Sequence, residues 1–259
     1  MTPDAPEEEV EVEETAPSEP RGGDIVYRHR RSTRIWHWLN ALTVFVMLMS
    51  GMMIFNAHPR LYWGEYGANA DHAWLALESS RAAPAFPGWM TIPTSYNLAG
   101  ARSWHFLFAW LLVVPGLLYG LWSFLNRHIQ RDLAPRREEL APRHIWRDVR
   151  DHARLRFPTG EAARRYNILQ KASYLGILFL LLPLVVLTGL TMSPGLDAAW
   201  PWLLDLFGGR QSARSIHFIA AALIAAFILV HLVMVVLAGP INEIGSMITG
   251  RYRLPKEKP

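Results

Sequence analysis

Apolar and polar positions divide this chain into four long oily runs joined by polar connections. Residues 35–55, 104–125, 172–192 and 215–238 contain no Asp, Glu, Lys or Arg. Each run is close to the ~20 apolar residues that carry a helix across about 30 Å of hydrocarbon. None keeps the polar face that a helix of a soluble bundle turns to water, which argues against four buried helices of a soluble protein. The pattern therefore predicts an all-α fold, an integral membrane four-helix bundle, occupying residues 25–250. Residues 1–24 are acidic and proline-rich, with nothing to build a core, and read as a disordered tail without the pattern of a signal peptide. Residues 251–259 form a basic tail.

Charge then orients the bundle. Only 19% of the chain is charged, and arginines crowd three places: Arg28, Arg30, Arg31 and Arg34 before the first run, the connection 126–171, and Arg251 and Arg253 after the last. The connections 56–103 and between runs three and four carry few. The positive-inside rule places both termini and the connection 126–171 in the cytoplasm and the loop 56–103 outside. The formal charge of +4 follows from this distribution and is no argument for nucleic acid.

The outer loop is rich in Trp, Tyr, Pro and Gly, a composition suited to an ordered cap. Trp63, Trp74 and Trp89 fit interfacial anchoring or a docking surface equally well. Within the inner connection, "APRREELAPRHIWRDVRDHARLRF" predicts a short amphipathic helix lying on an anionic leaflet. Pro115 and Pro183 fall inside runs, where kinks are tolerated. No internal repeat is visible.

The chain contains no cysteine, so thiolate-held iron–sulfur clusters, covalent C-x-x-C-H haem attachment, cysteine zinc sites and disulfides are all excluded. Histidine is the remaining strong ligand. Six histidines (His29, His58, His72, His128, His144 and His152) fall in tails or loops, where a solvated imidazole needs no explanation. The other four, His37, His105, His217 and His231, lie in the oily runs, where ionisable side chains are rare and usually functional. Topology sorts them by depth. His37 and His231 fall toward the inner face, His105 and His217 toward the outer.

The interval of fourteen between His217 and His231 separates them by about 21 Å along a helix and turns them to nearly the same side. Two facing imidazoles on different helices supply two neutral ligands to one metal, which is how b-type haem is gripped without covalent attachment. The pattern thus predicts two stacked haems b, one held by His37 and His231, the other by His105 and His217. Gly51, fourteen residues after His37, and Gly116, eleven after His105, are candidates for leaving room beside a flat macrocycle.

"RIWHWLNALTVFVMLMSGMMIF", "SWHFLFAW", "YNILQKASYLGILFLLLPLVVLTGL" and "SIHFIAAALIAAFILVHLVMVV" resemble the four-helix di-haem cytochrome b subunits of prokaryotic respiratory complexes. That set includes the gamma subunit of membrane formate dehydrogenase, the cytochrome b of nickel–iron hydrogenases, and thiosulfate-reductase-type subunits. The resemblance spans residues 27–250. It implies the same four haem ligands and a quinone site beside the inner haem, contacted by Asn167 of the "YNxxQK" stretch and by His231. It further suggests that Gln170 and Lys171 orient quinone or haem propionates, and that Arg34 pairs a propionate of the inner haem. The longer, aromatic outer loop is closer to the thiosulfate-reductase-type group, which is often associated with molybdopterin oxidoreductases.

These expectations describe a subunit of the bacterial inner membrane, embedded in lipid, that carries electrons between a periplasmic partner of molybdopterin type and menaquinone or ubiquinone. Substrate chemistry would belong to the partner, since this chain has no groups for it. A stand-alone transmembrane haem reductase and a histidine-relay transporter or channel are the alternatives.

Overall fold

The computed structural model describes residues 22–80, 82–126, 134–136, 138–154 and 167–255. The acidic stretch up to residue 21, His128, Tyr166, Lys256 and Lys258 lie outside the described residues.

In chain order, β1 (Ile25–Tyr27) leads into α1 (Arg31–Asn56), and the loop that follows carries β2 (Arg60–Leu61) and β3 (Leu75–Ala76). Next come α2 (Leu98–Leu125), α3 (Pro142–Ala153) and α4 (Ile168–Gly176), which runs through a wide turn at Ile177–Leu181 into α5 (Leu182–Thr191). Two short helices, α6 (Pro194–Ala199) and α7 (Trp202–Leu206), precede α8 (Arg210–Ala238), α9 (Pro240–Thr249) and β4 (Arg251–Arg253).

Four helices are long and apolar enough to cross a membrane: Arg31–Asn56, Leu98–Leu125, Ile168–Thr191 and Arg210–Ala238. Each begins one turn or more before its charge-free run. Arginine and lysine near a helix end lay their stems along the apolar surface and lift their charges to the interface, so they need not end the helix. At α2 the start is set by Asn97, whose side chain accepts from the Gly100 amide at 2.8 Å. The α2 helix continues through Pro115. In the third span Pro183 has no N–H for the Phe179 carbonyl, and the backbone widens to a π turn just before it.

Many large apolar side chains point outward, and much of the interior is small or hydroxylated. Leu117 and Val230 are more than half exposed, whereas Thr43, Ser50, Thr188, Thr191, Ser215, Ala101 and Ala213 are buried. Lipid tails are as apolar as leucine, so such helices associate through close approach of small residues rather than by hiding oil. The α1 helix packs along α2, and α5 along α8. Val185, Ala220 and Ile224 form a cluster joined by Val44, Ile177 and Leu181. Elsewhere the two helix pairs meet through rings, as where Phe55 stacks on Phe218 at 4.8 Å.

One end of the bundle is closed by the chain termini. The β1 strand pairs antiparallel with β4, Val26 opposite Tyr252, which puts both ends of the described chain on the same side. Arg34 and Trp38 donate to the Ile248 and Met247 carbonyls, Arg28 pairs with Glu243 at 3.4 Å, and the Tyr252 hydroxyl donates to Glu243 at 3.2 Å. This latch corrects the expectation for His29, which is not solvated but 9% exposed. Burial, then the charges of Arg28, His37 and Arg34, lower its pKa to about 4, so the ring is neutral.

The opposite end carries the ordered cap expected of the aromatic loop. The Gly64 carbonyl accepts from the Gln211 and Ser212 amides at the start of α8, and Arg214 donates to the His58 and Arg60 carbonyls. A Cβ at Gly209, where φ is +102°, would lie 2.7 Å from the Glu65 Cα and the Gly64 oxygen, so only glycine lets the loop seat there. Trp63 stacks on Trp74 at 5.7 Å, and Trp89 stands 77% exposed.

The α3 helix is the expected amphipathic one, with Trp146 on its outer surface. Its Asp148 accepts from the Ile168 amide at 3.3 Å, which docks α3 against the start of the third span.

Candidate cofactor site

The α8 helix is continuous from Arg210 to Ala238 and carries both His217 and His231, about 21 Å apart at 1.5 Å per residue. Each faces a histidine from the other helix pair. The ring centres of His105 and His217 stand 6.3 Å apart with planes at 59°. Those of His37 and His231 stand 6.4 Å apart at 56°.

Those separations discriminate between chemistries. A direct N–H···N bond of about 2.9 Å would bring two ring centres to roughly 5.3 Å. A metal between two facing nitrogens needs bonds of about 2.0 Å, and with each ring centre about 1.2 Å behind its nitrogen the rings stand about 6.4 Å apart. Both pairs match the second arrangement. Among the described residues no group of three or more His, Cys, Asp or Glu side chains could hold a bare ion. Two neutral imidazoles alone suit a metal whose remaining ligands come from a macrocycle, and the residues present therefore fit a haem at each pair.

The surroundings of the two pairs differ. Behind His105, the Ser50 hydroxyl lies 3.0 Å from Nδ1. Behind His217, the Thr188 hydroxyl lies 3.1 Å from Nδ1. The residue after each hydroxyl is a glycine. A Cβ at Gly51 would lie 3.5 Å from Cε1 of His105, and one at Gly189 the same distance from Cε1 of His217. That is ordinary contact, so the imidazoles would tolerate alanine, and the bare backbone leaves one side of each ring clear.

Ser50, Thr188 and Gly189 were missed in the sequence. The signal available was the Ser-Gly and Thr-Gly dipeptides in the first and third spans. A Cβ at Gly116 would meet Cη2 of Trp36 at 3.5 Å, and Trp36 stacks on Tyr119 at 4.9 Å. The neighbour of Gly116 is thus an indole, where that of Gly51 is an imidazole.

The His37 side of the other pair has a different setting. His37 Nδ1 is buried without a hydrogen-bond partner among the described residues, and the Trp38 ring meets His37 edge-on at 5.2 Å. Phe227 stacks on His231 at 6.0 Å, and Tyr174 of α4 packs against Phe227.

The third span begins at this end, since successive spans alternate in direction. Asn167 and Gln170 form a capping box there. The Asn167 side chain accepts from the Gln170 amide at 2.9 Å, and the Gln170 side chain accepts from the Asn167 amide at 3.2 Å. Lys171 is buried and binds both carboxylate oxygens of Glu139 at 2.7 and 2.8 Å. Burial pushes the Glu139 carboxyl up, but the bonds from Lys171 and the Arg136 amide, with the charges of both residues, outweigh it and hold the group below its usual range. Arg34, one turn before His37, donates to the Ile248 carbonyl and leaves Nε buried without a partner among the described residues.

Comparison with known proteins places this geometry in context. Residues 28–250 match the family described as prokaryotic cytochrome b561. The chain is 30% identical over 214 residues, 83% of this chain and 92% of the other, to a putative protein-methionine-sulfoxide reductase subunit, YedZ1, of Azospira oryzae. It is 22% identical over 244 residues, 89% of this chain and 88% of the other, to a probable Ni/Fe-hydrogenase B-type cytochrome subunit of Cupriavidus necator. It is also 24% identical over 234 residues, 89% and 76% of the two chains, to the putative cytochrome YdhU of Escherichia coli. No solved structure matches the chain.

Proposed function

The chain belongs to the prokaryotic cytochrome b561 family of membrane b-type cytochromes, and we propose that it is the membrane subunit of a respiratory oxidoreductase, passing electrons through two haems b between a partner and quinone. The observation that carries this reading is the pair of facing imidazole pairs, each at the separation of a metal with two histidine ligands. His37 and His231 would hold one haem and His105 and His217 the other. A haem b held this way supplies one-electron chemistry, its iron alternating between ferric and ferrous.

The His37/His231 end is the cytoplasmic end. Arg28, Arg30, Arg31 and Arg34, the arginines of α3, and Arg251 and Arg253 all flank it. Both termini are then cytoplasmic, in a bacterial inner membrane. Quinone binds beside this pair. The Asn167 cap uses the amide oxygen, and the amide nitrogen is suited to donate to a quinone carbonyl. His231, as a ligand with a second ring nitrogen, offers another contact, and Gln170 holds Asn167 in place. Lys171 acts through Glu139, fastening the connection onto the third span, and the Arg34 guanidinium lies one turn from His37, where a propionate would meet it. Reduction of menaquinone or ubiquinone here would draw its protons from the cytoplasm.

The outer cap is the face for the partner. Relatives named as subunits of a hydrogenase and of a methionine-sulfoxide reductase support an oxidoreductase partner, and a molybdopterin enzyme suits the aromatic loop. This chain then contributes no substrate chemistry of its own.

Haem content with redox titration of single His→Ala variants tests the reading. Two haems per chain are expected, with His37→Ala and His231→Ala losing one and His105→Ala and His217→Ala losing the other. Colourless, fully loaded protein would overturn it in favour of a histidine relay. Full acceptor turnover by the isolated chain would favour a stand-alone reductase.

A further inference from the structure

The His105/His217 pair is backed by the same two-residue device on two different helices, Ser50-Gly51 on α1 and Thr188-Gly189 on α5. Ser50 and Thr188 are both 0% exposed. Each hydroxyl has one proton, and each already donates it within its own helix. Ser50 donates to the Val46 carbonyl at 2.8 Å, and Thr188 to the Leu184 carbonyl at 2.6 Å. A hydroxyl that donates there still has a lone pair to accept from the imidazole. A ring that gives Nε2 to a metal carries its proton on Nδ1, and there the hydroxyl is the acceptor.

We propose that Ser50 and Thr188 are positioning residues that fix the tautomer and electron richness of both ligands of one haem and neither ligand of the other. The inference rests on the two-haem reading. A hydrogen bond from Nδ1–H to an oxygen places more electron density on Nε2 and makes the imidazole a stronger ligand. A stronger ligand favours ferric over ferrous iron. The exchange is one electron on and one electron off, with no bond broken and the proton staying on Nδ1. The hydroxyls thus lower the reduction potential of the His105/His217 haem. At the other pair His37 Nδ1 is buried without a partner among the described residues, so no such bond loads that ligand. The asymmetry raises the energy of an electron on the His105/His217 haem and favours its passage toward the His37/His231 end.

The test is a spectroscopic redox titration of the full chain in detergent, with haem content measured on every sample. Ser50→Ala combined with Thr188→Val should shift the reduction equilibrium of the His105/His217 haem about tenfold toward ferrous, which is about 59 mV upward for one electron. The other haem should not move. Ser50→Thr and Thr188→Ser, which keep the hydroxyls, should return the wild-type value. If Ser50→Ala does not load that haem, the near-isosteric Thr188→Val alone carries the test, with a smaller shift of the same sign. Two fully loaded haems with unchanged potentials overturn the inference, as does an equal shift of both. Wild-type protein without two haems overturns the reading beneath it, and the inference with it.

Discussion

Trp74 donates its indole N–H to the Ser215 hydroxyl at 2.9 Å, and Ser215 passes its own proton to the Tyr62 carbonyl at 2.6 Å. The loop between the first two spans is thereby tied to α8 two residues before His217. Ser215 is 0% exposed, so water has little access to its hydroxyl. Ser215→Ala is expected to leave the indole N–H and the Tyr62 carbonyl unpaired and to cost about 1–3 kcal/mol. Thermal unfolding in detergent reads the loss. Trp74→Phe should cost less, because Ser215 keeps its bond to Tyr62.

The glycines beside the hydroxyls separate a role in packing protein from one in admitting a cofactor. An added Cβ at Gly189 meets only ordinary contact with His217, and alanine is the better helix former by up to about 1 kcal/mol. Gly189→Ala and Gly51→Ala should therefore fold at least as stably as the parent while losing haem from the His105/His217 pair alone. Gly116→Ala, against Trp36, should keep both haems. Pyridine haemochrome content beside the melting temperature checks this. Full haem loading in all three variants would remove the glycines from the site.

The latch at the chain termini should weaken in mild acid. His29 has its pKa lowered to about 4, first by burial and then by Arg28, His37 and Arg34. The unfolded chain takes a proton on this histidine near its usual 6.5 and the folded chain does not. Its contribution is whole above pH 6.5 and declines as pH falls from there to about 4. Glu139, held below the usual carboxylate range, adds a further loss only at lower pH. The melting temperature should drop between pH 7.5 and pH 5, and His29→Gln should flatten that drop. An unchanged slope in the variant would place the sensitivity elsewhere.

Asn167 serves two ends that one pair of substitutions can part. Its oxygen caps α4, and its nitrogen is the donor proposed for quinone. Asn167→Ala should lose both, with about 0.5–2 kcal/mol of stability. Asn167→Asp keeps a capping oxygen and lacks the donor. It should retain stability and both haems while quinone turnover falls, roughly tenfold for one lost hydrogen bond of about 1.4 kcal/mol. Normal turnover in Asn167→Asp would confine the residue to its cap.

Much of the architecture was legible because lipid imposes a simple rule on sequence. A helix in hydrocarbon must satisfy its own backbone and shed its charges, so spans appear as long uncharged runs. The helices nevertheless begin earlier than those runs, at Arg31 and Arg210 for example, since an interfacial arginine marks the lipid boundary rather than the helix end. Which histidines face each other was also readable. Depth follows from position within a span, and direction from a fourteen-residue interval on one rigid helix.

Contacts between helices were not readable, and they separate one histidine pair from the other. Ser50 and Thr188 are small polar residues of a kind common in membrane helices. Their sequence neighbours show the carbonyls they bond in their own turn but not the imidazole on the next helix. His29 lies outside every span, and it is the folding together of the two chain ends that buries it. That Trp36 is the neighbour of Gly116 is likewise a contact between helices. Span, depth and facing direction are properties of a single helix in lipid, and one sequence carries them. What stands behind a ring depends on the rotation and approach of a second helix, which no single segment encodes.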